Sequence, residues 1–316
     1  MYIVTGAAGL IGSSMIWELN RHGISDILAV DHLGTGDKWK NLRALQFADY
    51  LEKEEFRRLV REERLPDHLD AVIHLGACSS TTEKDATYLI DNNFHYTREV
   101  AQYCIDRGVR FLYASSSATY GDGAKGYDDD VARLQELRPM NMYGYSKQLF
   151  DLFARRQGWL DRITGLKFTN VYGPNEQHKG EMRSVVSKAY EQITATGKLQ
   201  LFRSHRPDYR DGEQQRDFLY VKDAVRMVKF LLEHPQGYGI FNIGSGKAET
   251  WNALARAIFA AMDRPLQLEY IDMPPHLRDR YQYYTCAEMA RLRHLGYREP
   301  LFSLDEAVAD YIRIYR

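Results

Sequence analysis

The chain has 316 residues, 44% of them hydrophobic, and 42 Lys+Arg against 43 Asp+Glu, a net charge of −1. Such a chain can bury a full core, which excludes an intrinsically disordered protein. Its near-neutral balance excludes binding to nucleic acid or to an anionic membrane by bulk charge. No apolar run reaches about 18 residues, so no membrane-spanning helix is predicted. The start, Met1 to Gly6, lacks the basic-then-apolar layout of a signal peptide. Cys78, Cys104 and Cys286 are widely spaced with no Cys-x-x-Cys pair, which fits a reducing cytoplasm; neither a disulfide framework nor a metal site is expected.

In chain order, Tyr2–Val4 is a predicted strand and Ser13–His22 a helix stopped by Gly23. Strands follow at Ile27–Val30 and Ala71–Leu75, then a helix over Asn92–Arg107 stopped by Gly108. Strands Arg110–Ala114 and Ile163–Phe168 complete the alternation, and a further apolar run stands at Ile240–Ile243. This pattern predicts an α/β fold, a Rossmann-type doubly wound parallel sheet with a second, smaller α/β domain. Residues 1–168 are read as the dinucleotide-binding domain, rejoined by about 217–245, and 169–316 as mainly the substrate-binding domain. The very polar stretch 204–215 is expected to be a mobile surface loop. His74, facing the core, is read as a structural histidine.

The sharpest motif is Thr5-Gly6-Ala7-Ala8-Gly9-Leu10-Ile11-Gly12, between the first strand and the first helix. Gly6, Gly9 and Gly12 allow a tight turn and close approach of backbone to a pyrophosphate, whose charge the helix N-terminus favours. Asp31 ends the second strand, 19 residues beyond Gly12, where a carboxylate accepts from a ribose hydroxyl and so points to NAD. Lys38, Lys40 and Lys53 follow, cations able to hold a 2′-phosphate, so NADP and NAD both stay open on these residues.

Asn141-Met142-Tyr143-Gly144-Tyr145-Ser146-Lys147 leads into a second amphipathic helix, with Tyr143 and Lys147 four apart on one face. A cation beside the tyrosine favours its phenolate and makes it a usable base. Ser115-Ser116-Ser117-Ala118-Thr119-Tyr120-Gly121 follows a predicted strand, which puts the Ser116 hydroxyl at the end of the sheet where ligands bind.

Together the glycine loop, the Ser-Ser-x-x-Thr-Tyr-Gly strand end and Tyr-x-x-x-Lys resemble the extended short-chain dehydrogenase/reductase family, which acts on nucleotide sugars. Segments His74–Thr82, Asp91–Asn93, Phe111–Tyr120 and Asn170–Gly180 resemble, within it, the epimerases of ADP-linked heptose that supply lipopolysaccharide. The resemblance implies inversion at C6″ through a transient ketone with bound NADP. It implies Tyr143 and Lys179 as the acid–base pair, Ser116 as hydroxyl partner and Lys147 as support. Cofactor contacts would fall on Leu10, Ile11, Asp31, His32, Lys38, Lys53, Leu75, Gly76, Ala77, Asn92, Lys147 and Val171, beside the glycines. Substrate contacts would fall on Ser79, Asn170, Glu181, Lys188, Phe202, Arg216 and Tyr281, with Arg216 on the diphosphate; an Arg216–Asp217 ion pair is the competing reading. Leu75 stands where the family commonly has Glu, Glu181 where it has Ser and Lys188 where it has His. The resemblance also implies a cytoplasmic homo-oligomer, a pentamer. A UDP-hexose 4-epimerase and a non-catalytic dinucleotide sensor are the alternatives weighed.

Overall fold

The computed structural model describes residues 1–278 and 281–315. Seven parallel strands form the central sheet: β1 (Tyr2–Thr5), β2 (Ile27–Asp31), β3 (Asp49–Glu52), β4 (Ala71–His74), β5 (Arg110–Ser116), β6 (Thr164–Phe168) and, much later, β11 (Gly239–Ile243). Between β6 and β11 the chain makes short strands β7 (Asn170–Tyr172), β8 (Leu199–Phe202), β9 (Gln215–Arg216) and β10 (Phe218–Tyr220); β12 (Glu249–Thr250) and β13 (Leu268–Ile271) follow. The spatial order is β11-β6-β5-β4-β1-β2-β3, so the winding reverses between β1 and β4. The carboxyl ends of strands at such a reversal leave a crevice open to ligands.

Alternation within each strand divides the core. Ile3, Val72 and Phe111 enter one cluster with Phe94, Val100 and Phe150. Their neighbours Val4, Ile73 and Leu112 enter a second, with Met15, Ile16 and Val228. Period-2 side chains feed both faces of a parallel sheet, and helices cover each. In chain order these are α1 (Leu10–Arg21), α2 (Lys53–Arg61), α3 (Ala86–Leu89), α4 (Tyr96–Arg107), α5 (Met142–Arg156), α6 (Val185–Thr196) and α7 (Val221–Glu233). α8 (Trp251–Ala261), α9 (Pro275–Arg278), α10 (Ala290–His294) and α11 (Leu304–Ile312) belong to the last part of the chain. A third cluster, among them Val186, Ile193, Leu254, Ile258 and Tyr311, joins α6, α8 and α11.

The strands predicted from apolar runs are present, and Gly108 caps α4 at a left-handed φ of 67°. Two elements carry little sequence signal. β3 reads Asp-Tyr-Leu-Glu and is a partly exposed edge strand, and α2 is dominated by charge. The predicted helix over Asn92–Arg107 is longer and irregular: it begins with α3 and passes through a π-helical turn, Ile90–His95, before α4. The polar loop after β8 is tied down, with Ser204 N donating to Asp211 (2.8 Å) and His205 N to the Tyr283 hydroxyl (2.8 Å).

Candidate active site

A cleft of about 510 Å³ opens at the carboxyl ends of β1, β2, β4 and β5. At its base the chain leaves β1 through Gly6, whose φ is +67°; a Cβ there would lie 2.8 Å from the Gly76 backbone. A Cβ on Gly12 would lie 2.0 Å from the Gly6 carbonyl oxygen. These clashes explain the glycines: the loop must pack against β4's exit and against its own helix while baring its backbone to the cleft. Gly9 is the extended N-cap of α1, and no acidic residue occupies that helix's first turn, so its positive end is uncompensated.

Asp31, 6% exposed, accepts from Ala8 N (2.7 Å) through one oxygen; the other accepts from His32 N (2.6 Å) and pairs with Lys38. Lys53, at the start of α2, donates to Asn92 Oδ1 (3.0 Å). The glycine loop, Leu10, Ile11, Asp31, His32, Lys38 and Lys53 all line the cleft. Leu75, Gly76, Ala77, Asn92, Lys147 and Val171 line it as well, so every cofactor contact that the resemblance implies is brought together; Lys40 is not, and pairs with Asp37 (2.8 Å) outside the cleft. Leu75 packs on the core beneath, leaving that stretch of wall apolar.

Ser116, Tyr143, Lys147 and Lys179 share the same cleft. Asn141 caps α5, its side chain accepting from Gly144 N (2.8 Å), which starts the helix just before Tyr143. Burial raises the pKa of the Tyr143 phenol, and a hydrogen bond with Ser116 offsets only part of that rise. Lys147 is 3% exposed, and among the described residues no carboxylate lies within ion-pair distance. Burial holds its ammonium down at about 8, against an upward pull from Asp151. Asp151, one further turn along α5, accepts from Tyr113 (2.9 Å), Ser115 (2.7 Å) and Lys167 (2.8 Å); it and Lys167 are wholly buried. His74 bonds the Thr5 (2.8 Å) and Thr97 (3.2 Å) hydroxyls, and burial depresses it to about 3, so it is neutral and structural.

Lys179 comes from the other side, on the single turn Gln177–Met182, which Gly180 breaks with a φ of 53°. Burial lowers its ammonium pKa, with Glu176 pulling the other way. Asn41 Nδ2 donates to Ala8 O (2.8 Å) and Asn175 O (3.0 Å), and Asn175 Nδ2 to Ser13 Oγ (3.1 Å). Glu176, fully buried, accepts from Ser184 N (2.6 Å), Ser184 Oγ (2.5 Å) and the Tyr311 hydroxyl (2.7 Å).

The residues predicted to hold substrate divide into three groups. Ser79 lines the cleft. Arg216, 8% exposed, lies against the Trp251 (5.7 Å) and Tyr281 (5.0 Å) rings, with Phe202 edge-on to Tyr281 (6.5 Å). It does not pair with Asp217, whose oxygens accept from Ser245 N (2.7 Å) and Ala287 N (3.0 Å). Its only hydrogen bond among the described residues is to the Gln215 carbonyl (2.8 Å), which leaves a buried guanidinium without a counter-ion. Asn170 stands nearby, donating weakly to Asp217 O (3.3 Å); it, Arg216, Phe202 and Tyr281 form a group of their own that does not line the cleft. Glu181 and Lys188 are not brought in: they pair with each other (3.3 Å), the Glu181 side chain is 97% exposed, and neither lines the cleft.

The model of the NAD dependent epimerase/dehydratase family matches residues 2–244. The chain belongs to that family. It is 54% identical over 315 residues to the ADP-L-glycero-D-manno-heptose-6-epimerase of Nitratidesulfovibrio vulgaris strain DP4, covering 100% of this chain and 98% of the relative. The Fusobacterium nucleatum enzyme of the same name is 45% identical over 324 residues, with 100% and 98% covered. Its fold is that of the Helicobacter pylori enzyme so named, with a TM-score of 0.82, 24% identity and 99% and 95% of the chains covered. Isomerase chemistry, an epimerisation, is therefore this family member's reaction class.

A nicotinamide dinucleotide is the cofactor of such an epimerase, and the residues present fit one. The glycine cradle admits no side chain, the positive end of α1 is free, and the unpaired Lys147 ammonium waits for an acceptor. Composition and motif spacing do not single out Asn41, Glu176 or Trp251, which act through tertiary contacts. Asp151 was within reach, since Tyr143, Lys147 and Asp151 repeat every four residues on one helix face.

Proposed function

We propose that this epimerase interconverts the D-glycero and L-glycero forms of an ADP-linked manno-heptose, inverting C6″ with bound NADP, for the supply of lipopolysaccharide heptose. The observation carrying the reading is that Tyr143 on α5, Ser116 at the end of β5 and Lys179 on the separate turn Gln177–Met182 line a single cleft. Inversion needs a proton acceptor or donor near the oxygen in each of two carbonyl orientations, and groups from two sides supply that. A nicotinamide dinucleotide supplies, when bound, a reversible acceptor for a carbon-bound hydrogen and its electron pair. Tyr143, oriented by Ser116, takes the C6″ hydroxyl proton as the ketone forms. The carbonyl then turns over, and Lys179 donates its own ammonium proton to the oxygen when hydrogen comes back on the other face. Exchange with water removes the proton held by Tyr143 and restores that of Lys179 before the next turnover. Lys147, beside the tyrosine on α5, steadies the phenolate and holds a ribose hydroxyl.

NADP is favoured over NAD by charge. Asp31 is already engaged by Ala8, His32 and Lys38, so its repulsion of a 2′-phosphate is offset, and Lys53, bonded to Asn92 and Glu54, lines the same cleft as a second cation for one. Arg216, buried and without a counter-ion, is the diphosphate anchor, with Phe202 and Tyr281 beside it and Ser79 and Asn170 nearer the sugar. The reading extends to a cytoplasmic homo-oligomer, pentameric by resemblance.

The test is turnover of ADP-D-glycero-D-manno-heptose in D₂O followed at C6″ by NMR. Inversion without deuterium at carbon is expected. Inversion with deuterium at C6″ overturns the direct oxidation, and failure to invert while UDP-hexoses turn over moves the substrate to another nucleotide sugar.

A further inference from the structure

The wall of the cleft opposite the glycine loop is built by an irregular turn. Between α3 and α4 the backbone widens into the π-helical turn Ile90–His95, which carries Asn92 and Asn93. Asn92 lines the cleft and accepts from Lys53 (3.0 Å). Asn93 ties three segments together: its Oδ1 accepts from Cys78 N (2.9 Å), and its Nδ2 donates to Cys78 O (2.9 Å) and to Ser146 Oγ (3.0 Å), next to Lys147. A π turn holds one residue more than an α turn and is rarely stable by itself. Reverting it to α geometry would rotate the preceding residues by roughly 100° about the axis and swing both asparagines off the wall.

One side chain spans this turn. Arg57, whose side chain is 4% exposed, donates to both Asp91 oxygens (2.8 and 3.1 Å) at the turn's start. It also donates to both Glu99 oxygens (3.0 Å each) beyond its end. Its guanidinium lies 5.2 Å over the ring of Tyr96, whose hydroxyl is buried with no hydrogen-bond partner among the described residues; Tyr96 also lines the cleft. Arg57 follows Lys53 by one turn of α2, so a single helix braces the turn from behind and reaches the cleft in front.

We propose that Arg57 is a positioning residue of the dinucleotide site: by bridging Asp91 and Glu99 it holds open the wide turn that presents Asn92, Asn93 and Tyr96. The planar guanidinium of Arg57 makes four bonds to the two carboxylates in fixed directions; an ammonium has three rotatable donors and cannot reproduce them, so arginine and lysine are not interchangeable here. The inference rests on the dinucleotide occupying the cleft as proposed above.

The experiment measures how fast the holoenzyme loses its nicotinamide dinucleotide, with melting temperature recorded alongside, for the parent, Arg57→Lys and Val60→Ala. Val60→Ala is the control, since it removes a buried methyl pair from the same helix without touching the bridge. Arg57→Lys is expected to release cofactor roughly tenfold faster, equivalent to about 1.4 kcal/mol. Val60→Ala is expected to melt earlier and release cofactor at the parent's rate. Equal release from Arg57→Lys and the parent overturns the assignment, as does equal acceleration by both variants at matched melting temperatures. Should Arg57→Lys not fold, Asp91→Asn, which weakens only the front half of the bridge, must still speed release, and an unchanged rate overturns the assignment. A parent that carries no dinucleotide refutes instead the reading of the cleft on which this one stands.

Discussion

The two sides of the cleft hold the proposed acid–base groups in different ways. Tyr143, Lys147 and Ser116 ride on α5 and β5, long elements whose undersides are locked by the buried Asp151–Lys167 network. Lys179 rides on one turn broken by Gly180 and held by a few side-chain bonds, from Asn41, Asn175 and the Glu176–Tyr311 pair. The sheet side is set by packing, which tolerates little displacement. The opposing turn is set by discrete hydrogen bonds, which can open and close one at a time. The difference suits the work assigned to each, since one side must hold a cofactor in register while the other admits a sugar.

The largest effect separates the roles. Tyr143→Phe removes the proton-transferring hydroxyl on the rigid side, and turnover is expected to fall by roughly 10²–10⁴ while cofactor stays bound, as an assay of rate and absorbance will show. Undiminished turnover would end the assignment of Tyr143. Next comes the lock itself. Asp151→Asn leaves Lys167 charged and buried without its partner, which costs about 3–5 kcal/mol in a denaturant melt. A loss like that of an ordinary surface substitution would mean that the rigid side is not held from below.

A pH profile sharpens the comparison further. Burial lowers the Lys147 ammonium to about 8, so its charge disappears as pH rises through that value, and with it the support of the phenolate. Activity is expected to fall along that alkaline limb, and Lys147→Arg, always charged, should move the limb upward at a reduced rate. A limb that stays in place belongs to another group. The smallest effect tests the hydrogen-bonded side. Tyr311→Phe deletes one bond to Glu176 from a helix remote in sequence, at about 1 kcal/mol of stability. It should reduce kcat through Lys179 without changing cofactor retention; a change in retention alone would break the division between the two sides.

Much of the sheet side was legible in the sequence because its signals are local. A strand–loop–helix with three glycines, or a tyrosine and lysine four apart on a helix, needs no distant residue for its meaning. The polar edge strand β3 and the charged α2 escaped notice because neither shows a clean apolar period. Lys179 was named only through resemblance, since a lysine in a polar loop has no pattern of its own. Glu181, exposed on its turn, and Lys188, on α6, fell outside the cleft and pair with each other instead, which spacing does not reveal.

By itself the sequence determined the winding of the sheet, the glycine cradle and the face of α5 that carries Tyr143 and Lys147, all consequences of period and backbone sterics acting over a few residues. Only the tertiary structure decided which partners stand behind them: Asp151 with Lys167, Glu176 with Tyr311, Arg57 with Asp91 and Glu99, and an Arg216 left without Asp217. The physical reason is range. A buried charge must be matched by whatever packing brings within about 3 Å of it, and that neighbour is chosen by the fold rather than by distance along the chain.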